Sequence, residues 1–253
     1  MIRWLVVPVA WAMSMSPAPA VQAAEAINPV QVEQIEKVIR DYLLKNPELI
    51  IQAVRGLEER QKREAAEMTR ELIGKHNKEL RQDPDSYVAG NPNGDVTIVE
   101  FFDYRCGYCK QVHPVVKSAL KGDSKLRLVM KEFPVLGPES VAASRAAVAA
   151  HRGQRDKYLA FHDALMERRG ALNDTVVMEI AATVGLNVDK LKADMASPEI
   201  ERTLRENYKL AQTLGINGTP AFVIGDELVP GAIIDRQLAQ LIAQARNGCQ
   251  TCQ

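Results

Sequence analysis

Val96-Thr97-Ile98-Val99-Glu100-Phe101-Phe102-Asp103-Tyr104-Arg105-Cys106-Gly107-Tyr108-Cys109-Lys110 decides how the chain folds. Its first half is an apolar, β-branched and aromatic run. That pattern predicts a strand buried on both faces. From Lys110 to Leu120 the residues suit a helix. A Cys-x-x-Cys at a strand-to-helix junction sits at a helix N-terminus. There, unpaired backbone N–H groups and the positive end of the dipole stabilise a thiolate at Cys106. A stabilised thiolate both attacks and leaves readily, as disulfide exchange requires. Cys109, one turn further in, is placed to close a ring with Cys106 or to resolve a mixed disulfide. Paired cysteines also suit half of a zinc site or a structural disulfide. Redox chemistry is the reading the rest of the chain favours.

Outward from this stretch, Leu126 to Phe133 predicts a second strand, ended by Pro134 and Gly137-Pro138. A long region from Glu139 to about Leu214 carries several helical stretches, punctuated by Gly153, Gly170, Gly185 and Ser197-Pro198. Thr219 to Ile224 predicts a strand, Gly225-Asp226-Glu227 a turn, Leu228 to Gly231 a returning strand, and Ile234 to Ala245 a closing helix. A strand-helix-strand unit implies parallel pairing, and the later hairpin implies antiparallel pairing. The expected fold class is α/β: a mixed sheet with helices on both faces and a helical insertion at about 138–214.

On the N-terminal side, residues 24–88 read as a helical region. Val32, Ile35, Val38, Ile39, Tyr42 and Leu43 recur at helical spacing. Asn46-Pro47 punctuates, and Leu49, Ile50, Ala53, Val54 and Leu57 make a second stripe. From Glu58 to Gln82 charge dominates. Such a helix buries little alone, so it either packs against copies of itself or serves as a solvated connector. Homo-oligomerisation through residues 28–80 is the expectation. Asp83-Pro84-Asp85 and the run Gly90 to Asp95 are turn-rich and mark a boundary. The second domain is expected over 89–246, with a tail at 247–253.

The 253 residues carry 32 Lys and Arg against 32 Asp and Glu. This neutral balance gives no reason to expect a nucleic-acid partner. Arg3, the apolar run Trp4 to Met13 and Val21-Gln22-Ala23 read as a cleaved export signal over residues 1–23. No further stretch is long and apolar enough for a permanent membrane anchor. The four cysteines form two tight pairs, Cys106 with Cys109 and Cys249 with Cys252. That usage fits an oxidising compartment, and a periplasmic location is expected. No phosphate-binding loop or nucleotide fingerprint appears, and no cofactor is called for.

In combination these residues resemble the DsbA family of thioredoxin-fold proteins. Cys106-Gly107-Tyr108-Cys109 follows a strand, Pro114 falls where that fold kinks its active-site helix, and Thr219-Pro220 opens the next strand. The helical block lies where the family carries its insertion. Ile39-Arg40-Asp41-Tyr42-Leu43-Leu44-Lys45-Asn46-Pro47-Glu48 is similar to the leader of ScsC-type proteins, a group linked to copper tolerance. The resemblance implies a thiol–disulfide oxidoreductase, an isomerase or an oxidase, that acts on proteins with cysteines and uses a membrane redox partner. It implies that Cys106 attacks and Cys109 resolves. Gly107 and Tyr108 would tune the pair, and this Gly-Tyr is like that of periplasmic isomerases. Thr219 and a cis Pro220 would meet Cys106 and bind substrate.

Other residues carry open readings. Glu100 is either a buried proton relay beneath Cys109 or a solvent-facing charge. Lys131 and Glu132 read more strongly as solvent-facing. His113 reads as packing or solvated, and His76, His151 and His162 lie on charged helical stretches without an assigned role. Cys249 and Cys252 read as a small terminal disulfide loop, with a second redox centre or a metal clip as alternatives. Two further classes stay open: a copper(I)-binding protein with soft thiolate ligands, and a scaffold whose fold has lost activity. Intact cysteines, Pro114 and Thr219-Pro220 weigh against the scaffold.

Overall fold

The computed structural model describes residues 28–248. The export signal expected at 1–23 lies outside the described residues. So do Cys249 and Cys252, and with them the terminal disulfide loop expected there. The chain divides into two compact units at Glu58/Glu59.

In the first unit, α1 (Pro29–Lys45) begins with a capping box. Asn28 Oδ1 accepts from the Gln31 N–H at 3.0 Å, and the Gln31 side chain accepts from the Asn28 N–H at 3.0 Å. Pro29 takes the first helical position, where its missing N–H costs nothing. The chain re-enters helix as α2 (Glu48–Lys75). No residue of α1 is buried, and Ile73 is the one buried residue of α2.

The second unit holds a five-stranded sheet in the order β1-β3-β2-β4-β5. The strands are β1 (Tyr87–Gly90), β2 (Val96–Phe102), β3 (Leu126–Glu132), β4 (Ala221–Ile224) and β5 (Glu227–Pro230). β2 and β3 run parallel, and the other three pairings are antiparallel. The helix between the parallel strands is α4 (Gly107–Gly122). It follows α3 (Asn77–Arg81), which precedes the sheet. Five helices separate β3 from β4: α5 (Pro138–Gly153), α6 (Arg155–Glu167), α7 (Asp174–Thr183), α8 (Val188–Met195) and α9 (Pro198–Thr213). The last is α10 (Asp235–Gly248).

β2 is buried along its whole length. Val96, Ile98 and Phe102 belong to one core, with Cys109, Val112 and Val116 of α4 and most of the helical block. Val99 and Phe101 belong to a second core, with Ile73, Leu80, Leu210 and Ala211. The period of two along a strand sends alternate side chains to opposite faces, so the continuous apolar run serves two cores.

Residues 87–90, which lie between the two turn-rich runs and across the expected domain boundary at 88/89, form the edge strand β1. Turn chemistry surrounds only four strand residues, which hides the pattern. Gly94 has a packing reason. A Cβ there would fall 2.4 Å from the Lys125 carbonyl oxygen, so the backbones meet too closely for a side chain.

Candidate active site

The strand-to-helix turn brings Cys106 and Cys109 to the start of α4. Cys106 is its N-cap with extended backbone (φ −70°, ψ 115°) and is 6% exposed. Cys109 is fully buried. Both thiols are free. The pKa of Cys106 is lowered to about 5. A hydrogen bond with the Cys109 thiol contributes most, burial opposes it, and Thr219 and the backbone N–H groups of Cys109 and Tyr108 add to the lowering. Burial pushes the Cys109 thiol far up, helped by the negative character of Cys106 and Glu100. One site thus holds a ready thiolate and a thiol that keeps its proton.

Opposite them, the Thr219-Pro220 bond is cis. The Cys106 Sγ lies 3.2 Å from the Thr219 carbonyl oxygen, so the loop and the thiol meet although 113 residues apart. Pro220 is buried and Thr219 is half-buried. Gly107 is exposed, and a Cβ added to it would meet no atom within 4 Å. Tyr108 is 64% exposed.

α10 ends at Gly248, and Cys249 and Cys252 both follow it, beyond the described residues. The only cysteines among the described residues are Cys106 and Cys109, and neither is in a disulfide.

Glu100 sits mid-strand, opposite Met130 of β3 and Phe222 of β4. Burial alone pushes its carboxyl up to about 8. It shares a strand face with Ile98 and Phe102, the face that α4 covers. Its charge is felt at Cys109. A carboxyl that changes protonation near neutrality is suited to exchange a proton with a buried thiol.

One expectation is corrected. Lys131 and Glu132 do not face solvent; they are 1% and 4% exposed. Lys131 donates to Asp83 Oδ2 at 2.6 Å. Glu132 Oε1 accepts from Tyr104 at 2.9 Å and Tyr158 at 3.3 Å, and its Oε2 accepts from Ser144 at 2.7 Å. Its carboxyl is raised to about 8, because burial outweighs those hydrogen bonds. His151 and His162 are core residues, 4% and 2% exposed.

Asp103 is a site residue that the sequence reading passed over. It is fully buried. Its carboxylate accepts from the Arg105 N–H at 2.7 Å, the Val135 and Leu136 N–H groups at 2.8 and 3.0 Å, and the Ser140 hydroxyl at 2.8 Å. It fixes the turn into Cys106 and ties that turn to the loop after β3. The available signal was its place two residues before Arg105, where an Asp side chain builds a turn on its own backbone. Asp103→Ala strands three backbone donors and a hydroxyl and is expected to cost about 2–4 kcal/mol. A urea unfolding series measures this. A loss below about 1 kcal/mol shows that water replaces the carboxylate.

Lys110 closes the other side of the helix. Its amino group donates to the carbonyls of Leu165 at 2.9 Å, Met166 at 3.3 Å and Arg168 at 2.8 Å. A cation thereby satisfies the exposed C-terminal carbonyls of α6. A cleft runs between α4 and the end of α6, lined by Gly107, Lys110, His113, Pro114, Lys117 and Met166 among others.

A central sheet, a dithiol at the start of the helix that leaves it, and a cis-proline loop against the first sulfur define a dithiol protein of the thioredoxin class. Residues 97–243 match the DSBA-like thioredoxin domain, and residues 31–64 match the copper resistance protein ScsC N-terminal domain. The chain belongs to the DSBA-like thioredoxin-domain family, preceded by an N-terminal region of ScsC type. A thioredoxin-like oxidoreductase from Silicibacter pomeroyi is 46% identical, with TM-score 0.66, and the match covers 68% of this chain and 98% of that one. The catalytic domain of Proteus mirabilis ScsC is 28% identical, with TM-score 0.66, covering 71% of this chain and 99% of that one. The Na(+)/H(+) antiporter NhaA 1 of Salinispora arenicola is 26% identical over 66% of this chain, which spans only 26% of that protein's length.

Proposed function

We propose that this chain is a periplasmic thiol–disulfide oxidoreductase that acts as a disulfide isomerase or reductase on substrate proteins. The observation that carries the reading is the pairing of a Cys106 thiol lowered to about 5 with a buried Cys109, beneath the Thr219-Pro220 loop. Cys106 attacks a substrate disulfide, forms a mixed disulfide and expels a substrate thiolate. That thiolate reshuffles the substrate's other disulfides until a substrate thiolate attacks the mixed disulfide and expels Cys106, or Cys109 attacks the Cys106 sulfur, closes the Cys106–Cys109 disulfide and releases reduced substrate. Exposed Tyr108 and the edge of the Thr219 loop suit contact with an extended substrate segment.

Isomerisation requires Cys106 to return reduced, so a membrane reductase partner belongs to this reading. Self-association through residues 28–80 belongs to it too. Val32, Ile35, Ile39 and Tyr42 on α1, and Ile50, Val54 and Leu57 on α2, are each 43% to 59% exposed in the single chain. Such apolar rows gain by covering one another, and several active sites on one assembly raise effective concentration at one substrate. Residues 1–23 act as the export signal, and the ScsC-type N-terminal match supports a link to copper tolerance. No described helix is long and apolar enough to cross a membrane.

A second reading, a dithiol oxidase of DsbA type, is favoured by one observation. A low thiolate pKa stabilises the reduced form and makes the disulfide a stronger oxidant. Refolding of a scrambled multi-disulfide protein in glutathione buffer separates the two, with light scattering reporting subunit number on the same sample. Recovery of native substrate by an oligomer supports the isomerase. Fast oxidation of a reduced peptide without reshuffling supports the oxidase.

A further inference from the structure

His113, His162 and Asp163 form a cluster away from the two thiols. His113 lies on α4, four residues beyond Cys109, and His162 and Asp163 lie on α6. One ligand atom from each falls within 4.8 Å of the others. His162 is 2% exposed and His113 9%. His113 Nε2 and Asp163 Oδ1 are 3.1 Å apart, yet both are buried without an aligned hydrogen bond. Native interiors rarely leave two facing polar atoms in that state. A third atom between them would satisfy both.

The surrounding groups leave the right lone pairs. His162 Nδ1 is taken by the Tyr104 hydroxyl at 3.0 Å, so Nε2 is its remaining ring nitrogen. Tyr104 in turn bonds Glu132 at 2.9 Å, an outer contact of the kind that orients metal-bound imidazoles. Asp163 Oδ2 is held by Lys117 at 2.7 Å, which leaves Oδ1 for the cluster. His113 also lines the cleft beside α4, which supplies an entry path.

We propose that His113, His162 and Asp163 bind a divalent metal ion of zinc's kind, bridging the dithiol helix α4 to α6. Two imidazoles and a carboxylate are a common zinc donor set that leaves a fourth position open. Ligand atoms on a tetrahedral zinc lie roughly 3.3 Å from one another, given bonds of about 2.0–2.1 Å. His113 and Asp163 already stand near that spacing, and no pair must close by more than about 1.5 Å. The ion adds a second tie between the two helices that Lys110 already joins. It is distinct from copper held by thiols, because no sulfur takes part.

The test uses the chain with all four cysteines replaced by serine and no histidine tag, so that thiols and tags contribute nothing. Cobalt(II) titration is expected to give visible d–d absorption at one ion per chain. Zinc should displace it and raise the melting temperature as its concentration rises. His113→Gln and Asp163→Asn should each weaken binding by more than about tenfold, while His151→Gln leaves it unchanged. Circular dichroism checks that each variant folds, and if one fails the other decides. Absence of d–d absorption in the cysteine-free chain overturns the site. So does cobalt binding that survives both His113→Gln and Asp163→Asn. Neither result bears on the dithiol reading, which the refolding assay tests with the cysteines intact.

Discussion

Cys106→Ser is expected to lower thiol–disulfide exchange by at least about 10³-fold. A serine hydroxyl at this position does not ionise near neutrality, so the helix N-terminus has no anion to stabilise. Cys109 does not replace it, because that thiol is fully buried and its ionisation is strongly disfavoured. Cys109→Ser has a different signature. Cys106 still attacks, but no resolving thiol stands beneath it, so mixed disulfides with substrates accumulate. Non-reducing gels and mass spectrometry of the trapped adduct read this out. The asymmetry between the two variants is the sharp part of the expectation. Equal residual exchange in both, or turnover surviving in Cys106→Ser, would sink the assignment of attack to Cys106.

The dithiol was legible from the chain because its chemistry is local: an apolar strand, two cysteines and a helix within one continuous stretch. The partner loop at Thr219 was reachable only through motif order, since nothing within residues 219–220 reveals that they touch Cys106. Asp103 was illegible for another reason. Three of its four donors, on Val135, Leu136 and Ser140, lie more than thirty residues away. The burial of His151 and His162 was hidden by their neighbours. α6 reads as Arg-Asp-Lys-Tyr-Leu-Ala-Phe-His-Asp, a charged stretch, yet Tyr158, Phe161, His162 and Leu165 make its buried stripe. Glu132 and Lys131 were missed because adjacent residues of a central strand face opposite sides. One finds hydroxyl donors in the helical block and the other finds Asp83 before β1.

The helical block also explains why a polar network sits so near the dithiol. Phe102, Tyr104 and His162 are mutual ring contacts, with centroids 5.3, 5.0 and 5.5 Å apart. Tyr104 is two residues before Cys106, and His162 belongs to the block. The block is therefore packed directly onto the turn that presents Cys106. Lys110 and Asp103 fasten the same turn from two more directions. A rigid turn fixes the Cys106 sulfur against the Thr219 loop, and an attacking sulfur needs that preorganisation more than it needs a deep pocket.

The reduction potential is expected to change by about 30 mV per pH unit between about pH 6 and 8, steepening to about 59 mV per unit below about pH 5. With Cys106 at about 5 and Cys109 far above, reduction near neutrality takes up two electrons and one proton. Below that pKa both sulfurs take a proton. The same shift fixes how stability varies with pH. The folded pKa is depressed below the unfolded value of about 8.5, so the thiolate stabilises the reduced fold fully above that value. The contribution declines as pH falls and is gone below about 5. The disulfide form carries no such contribution. The melting temperature of the reduced protein should therefore fall relative to the oxidised protein on acidification from about pH 8 to 5. Alkylation by iodoacetamide follows the same titration. It should be nearly flat above about pH 6, and at about pH 5 roughly a thousandfold faster than for an unperturbed thiol of equal nucleophilicity. A slope of about 59 mV persisting through about pH 6–8 would mean that Cys106 is protonated there, and that the N-terminus of α4 does not activate it.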